Sequence, residues 1–130
     1  EFGFRIVGMR IYDPSHVRAS DDGFVFYDKD FGRSLGTREE VKEAFVFFFG
    51  AGTTLGSTSS VVRSSSISNI LAHLRSIQPW FLDNKSFCFC ASSLLVVYEG
   101  NAEASQNPDL VNVKMIDFGR VRRQAGGDRG

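Results

Sequence analysis

A chain of 130 residues has room for one well-filled core and not for two. Hydrophobic residues at 42% and charged residues at 23% give the balance of a soluble globular protein. Fifteen basic and fifteen acidic side chains cancel, so net charge gives no pull toward nucleic acid or a membrane surface, and no apolar run is long enough to span a bilayer.

In chain order, residues 2–13 read as a strand. Phe2, Phe4, Ile6 and Tyr12 fall on one face, and Val7, Met9 and Ile11 on the other. Asp21-Asp22-Gly23 marks a turn, with Gly23 suited to a positive φ, and residues 24–27 return as a short strand to make a hairpin. Thr37 opens a helix through a capping box with Glu40. Behind it Val41, Ala44, Phe45, Phe48 and Phe49 repeat at the spacing of one buried face, and Gly50 stops the helix.

From 50 to 66, twelve of seventeen residues are Gly, Ser or Thr. Such a stretch has little apolar area to offset its ordering entropy, so it reads as a flexible insertion. A second helix follows, with Ile67, Ile70, Leu71, Leu74 and Ile77 on one stripe, and is expected to end at Pro79. His73 lies beside that stripe and is expected to be partly exposed, with no catalytic task.

Residues 87–98 are apolar almost without a break, the pattern of a strand buried on both faces. Residues 111–118 form a second strand, and the simplest pairing is antiparallel, with a long polar connection. Cys88 and Cys90 fall within the first of these runs and read as two reduced core thiols, poorly placed for mutual bridging. A zinc site has no support, since His16 and His73 stand far off in sequence. The order of strand pair, helices and strand pair makes the class α+β.

Two spots carry polar groups where a core would not place them. Ser92 and Ser93 interrupt the apolar run, and a buried hydroxyl without a partner costs about 1–3 kcal/mol, so their hydroxyls should be bonded. Asp117 ends the run Val113-Lys114-Met115-Ile116, where a carboxylate projecting into a cleft would suit a hard divalent cation. The string Ile-Asp-Phe-Gly is similar to the metal-binding Asp-Phe-Gly of kinases. The pattern points away from a protein kinase, because no His-Arg-Asp precedes the string.

Three strings stand in the order and spacing of one family: Gly3-Phe4-Arg5-Ile6-x-Gly8, then Ser92-Ser93-Leu94-Leu95, then Ile116-Asp117-Phe118-Gly119. A fourth, Asp28-Lys29-Asp30-Phe31-Gly32-Arg33-Ser34-Leu35, lies between the first two. Together they span nearly all of the chain, and the chain resembles the inositol polyphosphate kinase family. The segment Ser92 to Gly100 resembles the multikinase and hexakisphosphate-kinase branches in particular.

That resemblance implies a partial kinase domain over 1–130, the C-terminal lobe of a two-lobed fold like that of protein kinases or ATP-grasp enzymes, with antiparallel strands and inositol-binding helices. It implies ATP and Mg²⁺ as cofactors and an inositol polyphosphate as substrate. Asp117 would hold the metal, Ser92 and Ser93 would line the nucleotide site with it, and Arg5, Lys29 and Arg33 would hold inositol phosphates. The family's Pro-x-x-x-Asp-x-Lys-x-Gly string, which supplies the catalytic aspartate, is not among these residues and is expected upstream of Phe4. No catalytic residue is therefore assigned within the chain, which is expected to be inactive by itself. The start has no signal-peptide pattern and no initiator methionine, so either the chain was processed or cut from something larger or its first residues are an added scar, and the expected setting is intracellular, in the cytoplasm, the nucleus or both. The alternative is a catalytically inactive remnant that binds polyanions or a protein.

Overall fold

The computed structural model describes residues 3–50, 60–100 and 110–124, with side chains described for all of these except 60–65. The chain divides into two compact units, Glu1–Arg63 with Gly100–Ser105, and Ser64–Glu99 with Gln106–Gly130. Helices and small antiparallel sheets make it α+β, as the order of patterns predicted.

The first unit is built on a hairpin. Strand β1 (Met9–Tyr12) pairs antiparallel with β2 (Phe24–Tyr27), from Met9 opposite Tyr27 to Tyr12 opposite Phe24. The strand is shorter than the predicted 2–13, because residues 4–8 are not in a ladder. Gly23 has φ +82, as the turn requires, and a side chain there would also meet the Tyr12 ring at 2.8 Å. Ser20 and Arg10 both bond the Asp22 carboxylate, which holds the connection together. Met9 and Ile11 are buried, with Ile6, Tyr27, Phe31 and Phe48 packed against them.

A short helix, α1 (Lys29–Ser34), follows β2 and was not foreseen. Its start is set by Asp28, whose carboxylate accepts from the N–H groups of Asp30 and Phe31 at 2.9 and 3.2 Å. Helix α2 (Arg38–Gly50) begins on the predicted capping box. The Glu40 N–H donates to Thr37 Oγ1 at 3.2 Å, while Glu40 Oε2 accepts from the N–H groups of Gly36 and Thr37 at 2.7 and 2.9 Å. These bonds, the Gly36 one foremost, hold the Glu40 carboxyl below its ordinary value. Of the predicted face only Ala44 is buried; Val41, Phe48 and Phe49 are half-buried and Phe45 is exposed.

Helix α3 (Ser60–Asp83) is longer at both ends than predicted. It starts inside the segment read as an insertion, whose residues 51–59 lie outside the described part. It also runs through Pro79 instead of ending there. A proline removes one N–H from the helix ladder but does not forbid the turn after it. Here Trp80 and Phe81 both contact the Phe89 ring, at 5.6 and 5.4 Å between centroids, and the Asn84 N–H closes on the Trp80 carbonyl at 2.9 Å. Ile70 is buried, Leu74 and Ile77 half-buried, and His73 exposed.

Four strands complete the second unit. β3 (Phe87–Phe89) pairs antiparallel with β6 (Val121–Arg123), and β4 (Ser93–Tyr98) with β5 (Val111–Ile116). The β4–β5 pairing is the predicted one, but the single strand over 87–98 is in fact two. Both ladders run along the same two chain segments, and the break between them is uneven. Cys90, Ala91 and Ser92 lie between Phe89 and Ser93, whereas Asp117, Phe118, Gly119 and Arg120 lie between the partners Ile116 and Val121. The extra residue forces both backbones out of the pleat, as in a bulge. The positive φ values of Ala91 (+56) and Asp117 (+70), incompatible with a continuous strand, fall there. Apolarity alone cannot reveal such a break, since both strands are apolar. Nor is β4 buried on both faces: Leu94 and Val97 are 49% and 51% exposed.

Candidate functional site

The predicted site residues divide between the two units, three in each. In the second, Ser92 and Asp117 stand on opposite sides of the break between the ladders. The Ser92 hydroxyl donates to the Asp117 carbonyl oxygen at 3.0 Å. This is the partner that the sequence required for a hydroxyl in an apolar run. It also joins the Ser-Ser-Leu-Leu string to the Ile-Asp-Phe-Gly string. Ser93 opens β4 opposite Ile116 and is half-buried.

Asp117 uses its main chain for structure and leaves its carboxylate exposed; among the described residues nothing pairs with that carboxylate. At φ +70 the residue turns out of the ladder, a conformation Asp tolerates better than most. The turn after it is closed by the Val121 N–H on the Phe118 carbonyl at 3.1 Å. Phe118 reaches the Phe89 ring at 6.4 Å, so it anchors the turn on the Trp80–Phe81–Phe89 cluster.

The donor set suits a hard divalent cation bound with phosphates. Such an ion takes one or two carboxylates and fills its remaining positions with water and phosphate oxygens. Among the described residues there is no group of three or more His, Cys, Asp and Glu side chains able to hold a metal unaided. The exposed Asp117 carboxylate is of the donor type such an ion takes from a protein.

In the first unit, two glycines bring the cation-bearing strings together. Gly32 of α1 lies against the Ile6 backbone so closely that a Cβ would fall 1.8 Å from the Ile6 carbonyl oxygen. Gly8 lies on the Tyr27 carbonyl, where a Cβ would come within 3.2 Å. The Gly-Phe-Arg-Ile-x-Gly segment is thus seated on the β2 end and on α1, with Arg5 next to Ile6 and Lys29 one turn before Gly32. Both cations are exposed, and among the described residues neither takes part in an ion pair. Arg33 differs, since its guanidinium meets Asp30 at 3.3 Å in an exposed i,i+3 pair. Such a pair is worth well under about 1 kcal/mol and would yield to a phosphate. The N-terminus of α1 is already occupied by Asp28.

The thiols correct an expectation. Cys88 and Cys90 are exposed, not in a core, and their sulfurs stand 3.6 Å apart. Alternation on the strand placed them on one face, but it could not give their side-chain rotamers, which turn the sulfurs toward each other.

The family model of inositol polyphosphate kinase matches residues 1–129. The chain belongs to the inositol polyphosphate kinase family. Human inositol polyphosphate multikinase is 35% identical over 103 residues, covering 79% of this chain and 22% of the human protein. Mouse inositol hexakisphosphate kinase 3 is 29% identical over 127 residues, covering 89% of this chain and 29% of the mouse protein. These are the two branches that the Ser92–Gly100 segment resembles. The chain spans less than a third of the length of the curated relatives it matches. The crystal structure of the S. cerevisiae inositol phosphate multikinase, in complex with ADP and Mn²⁺, shares the fold with a TM-score of 0.64 at 20% identity, over 94% of this chain and 55% of that one.

Proposed function

We propose that this chain supplies the nucleotide–metal strand pair and part of the substrate-binding surface of a kinase that phosphorylates inositol polyphosphates from ATP. The observation that carries the reading is the Ser92–Asp117 bond. It unites two family strings at one break in the ladder and leaves the Asp117 carboxylate free for a cation. The family membership and the ADP and Mn²⁺ bound to the yeast relative support it.

In this reading Asp117 and Ser92, with Ser93 beside them, face the nucleotide, and Mg²⁺ neutralises charge on the ATP phosphates. Phosphoryl transfer depends chiefly on positioning and charge neutralisation, and exposed cations such as Arg5 and Lys29 are suited to hold an inositol phosphate, with Arg33 once released from Asp30. Among the described residues no helix is long and apolar enough to cross a membrane.

The test is binding of Mn²⁺ with ADP, followed by the electron paramagnetic resonance signal of free Mn²⁺. The chain should bind the pair, and Asp117→Asn should weaken binding at least about ten-fold with an unchanged circular dichroism spectrum. Equal binding by both would overturn the metal assignment. If the chain binds inositol hexakisphosphate but no Mn²⁺–ADP, the polyanion-binding module is the better account.

A further inference from the structure

Alone among the described side chains, two nucleophilic sulfurs stand together, at 3.6 Å between Cys88 and Cys90, and both residues are exposed. Bridging requires S–S of about 2.0 Å and Cβ atoms about 3.8 Å apart, so the sulfurs need to approach by about 1.6 Å and the backbone at Cys90 has to move with them. Two residues apart on a strand, the α carbons are about 6.6 Å from one another. That is near the upper end of the range a disulfide spans. A bond formed there is under tension and readily reduced, which is the character of a reversible disulfide and not of a structural one.

The surroundings act in both directions. Cys88 faces Arg122 across the β3–β6 ladder, and a guanidinium beside a thiol favours its thiolate. The hydrogen bond with Cys90 acts more strongly and holds the Cys88 thiol above its ordinary value. Cys90 lies in the uneven break, outside the ladder hydrogen bonds, where the backbone is free of pairing on that side.

We propose that Cys88 and Cys90 form a redox-active dithiol that closes to an intrachain disulfide on reaction with a small-molecule disulfide such as oxidised glutathione. One thiolate attacks a sulfur of oxidised glutathione, forming a mixed disulfide and releasing one glutathione thiolate. The second cysteine, after losing its proton, attacks the protein-bound sulfur of the mixed disulfide and releases the second glutathione. The two cysteines are oxidised by two electrons, one oxidised glutathione becomes two reduced glutathiones, and the two thiol protons pass to them. This site is independent of the nucleotide reading, since its outcome is read in the thiols themselves.

The experiment equilibrates the reduced chain in glutathione buffers of graded potential, quenches with acid, alkylates free thiols and digests with trypsin. Lys85 and Lys114 bracket both cysteines with no Lys or Arg between, so one peptide, 86–114, reports the state of the pair. The expected product is that peptide lighter by two hydrogens and resistant to alkylation, in an amount independent of protein concentration. In Cys90→Ser the reaction should stop at a glutathione adduct on Cys88, at least about ten-fold more abundant than in the wild type. Two glutathione adducts on one peptide, disulfide-linked dimers, or closure only in urea would each overturn the proposal.

Discussion

In the first unit the exposed cations ride on backbone that is pressed together. Gly32 lets the Ile6 carbonyl approach where any side chain would collide, Gly8 fits tightly against the Tyr27 carbonyl, and Met9 and Ile11 are buried beside them. In the second unit the proposed metal carboxylate rides on backbone that has been let out. Three residues oppose four, two non-glycine residues take positive φ, and a single side-chain hydrogen bond crosses the gap. Positioning by steric contact tolerates no added atom. Positioning by an irregular turn tolerates substitution for stability's sake and reserves its demands for the ligand.

That contrast can be broken most sharply at Gly32. Gly32→Ala should destabilise the chain by about 3 kcal/mol or more, because the methyl group meets main chain that cannot swing aside. Loss of hydrogen-exchange protection at the β1 and β2 amides is the measurement, and unaltered protection would show that α1 is not packed on Ile6.

On the other side, Ser92→Ala removes one hydrogen bond to a main-chain carbonyl and should cost about 1 kcal/mol in urea unfolding followed by Trp80 fluorescence. A neutral result would mean that the break holds its shape without the bond.

Asp117→Gly reverses the usual direction. Glycine accepts φ +70 without penalty, so stability should rise by about 0.5–1 kcal/mol while Mn²⁺–ADP binding disappears. A fall in stability would mean that the carboxylate has a structural partner.

The smallest effect is expected at the exposed α2 cap. Because the Glu40 carboxyl is held below its ordinary value of 4.5, the stability it contributes is complete above that pH and is lost as pH falls through its lowered folded value. Urea midpoints measured from about pH 6 to about pH 3 should therefore fall more in the wild type than in Glu40→Gln. Parallel curves would place the cap elsewhere.

What the sequence revealed tracks how local the cause is. The capping box at Thr37 and Glu40, the turn glycine Gly23 and the β4–β5 pairing each depend on a few neighbouring residues or on one apolar run, and each appears as expected. Helix α1 was missed although its signal, an Asp just before the helix, was present at position 28. Six residues show too little periodicity for a helix to stand out. Pro79 misled because an aromatic cluster assembled from α3 and β3 keeps the helix going past it, and such a cluster is invisible to a local rule. The break between β3 and β4 was hidden for the same reason, since it is defined by the count of residues on a partner strand thirty positions away. Of the site, Ser92 and Asp117 were legible as polar residues out of place, and the structure brings them together. The meeting of Cys88 and Cys90 was not, because it turns on rotamers.

The close seat of Gly32 on Ile6 also acts as a ruler. Arg5 is the residue next to that contact on one segment and Lys29 stands one helical turn from it on the other, so the interval between the α carbons that carry the two cations is inherited from main chain. In the proposed function, an anion with two charged groups would meet a gauge whose base is already fixed. Exchanging Lys for Arg changes the tip of the gauge, whereas a single methyl group at Gly32 changes its span.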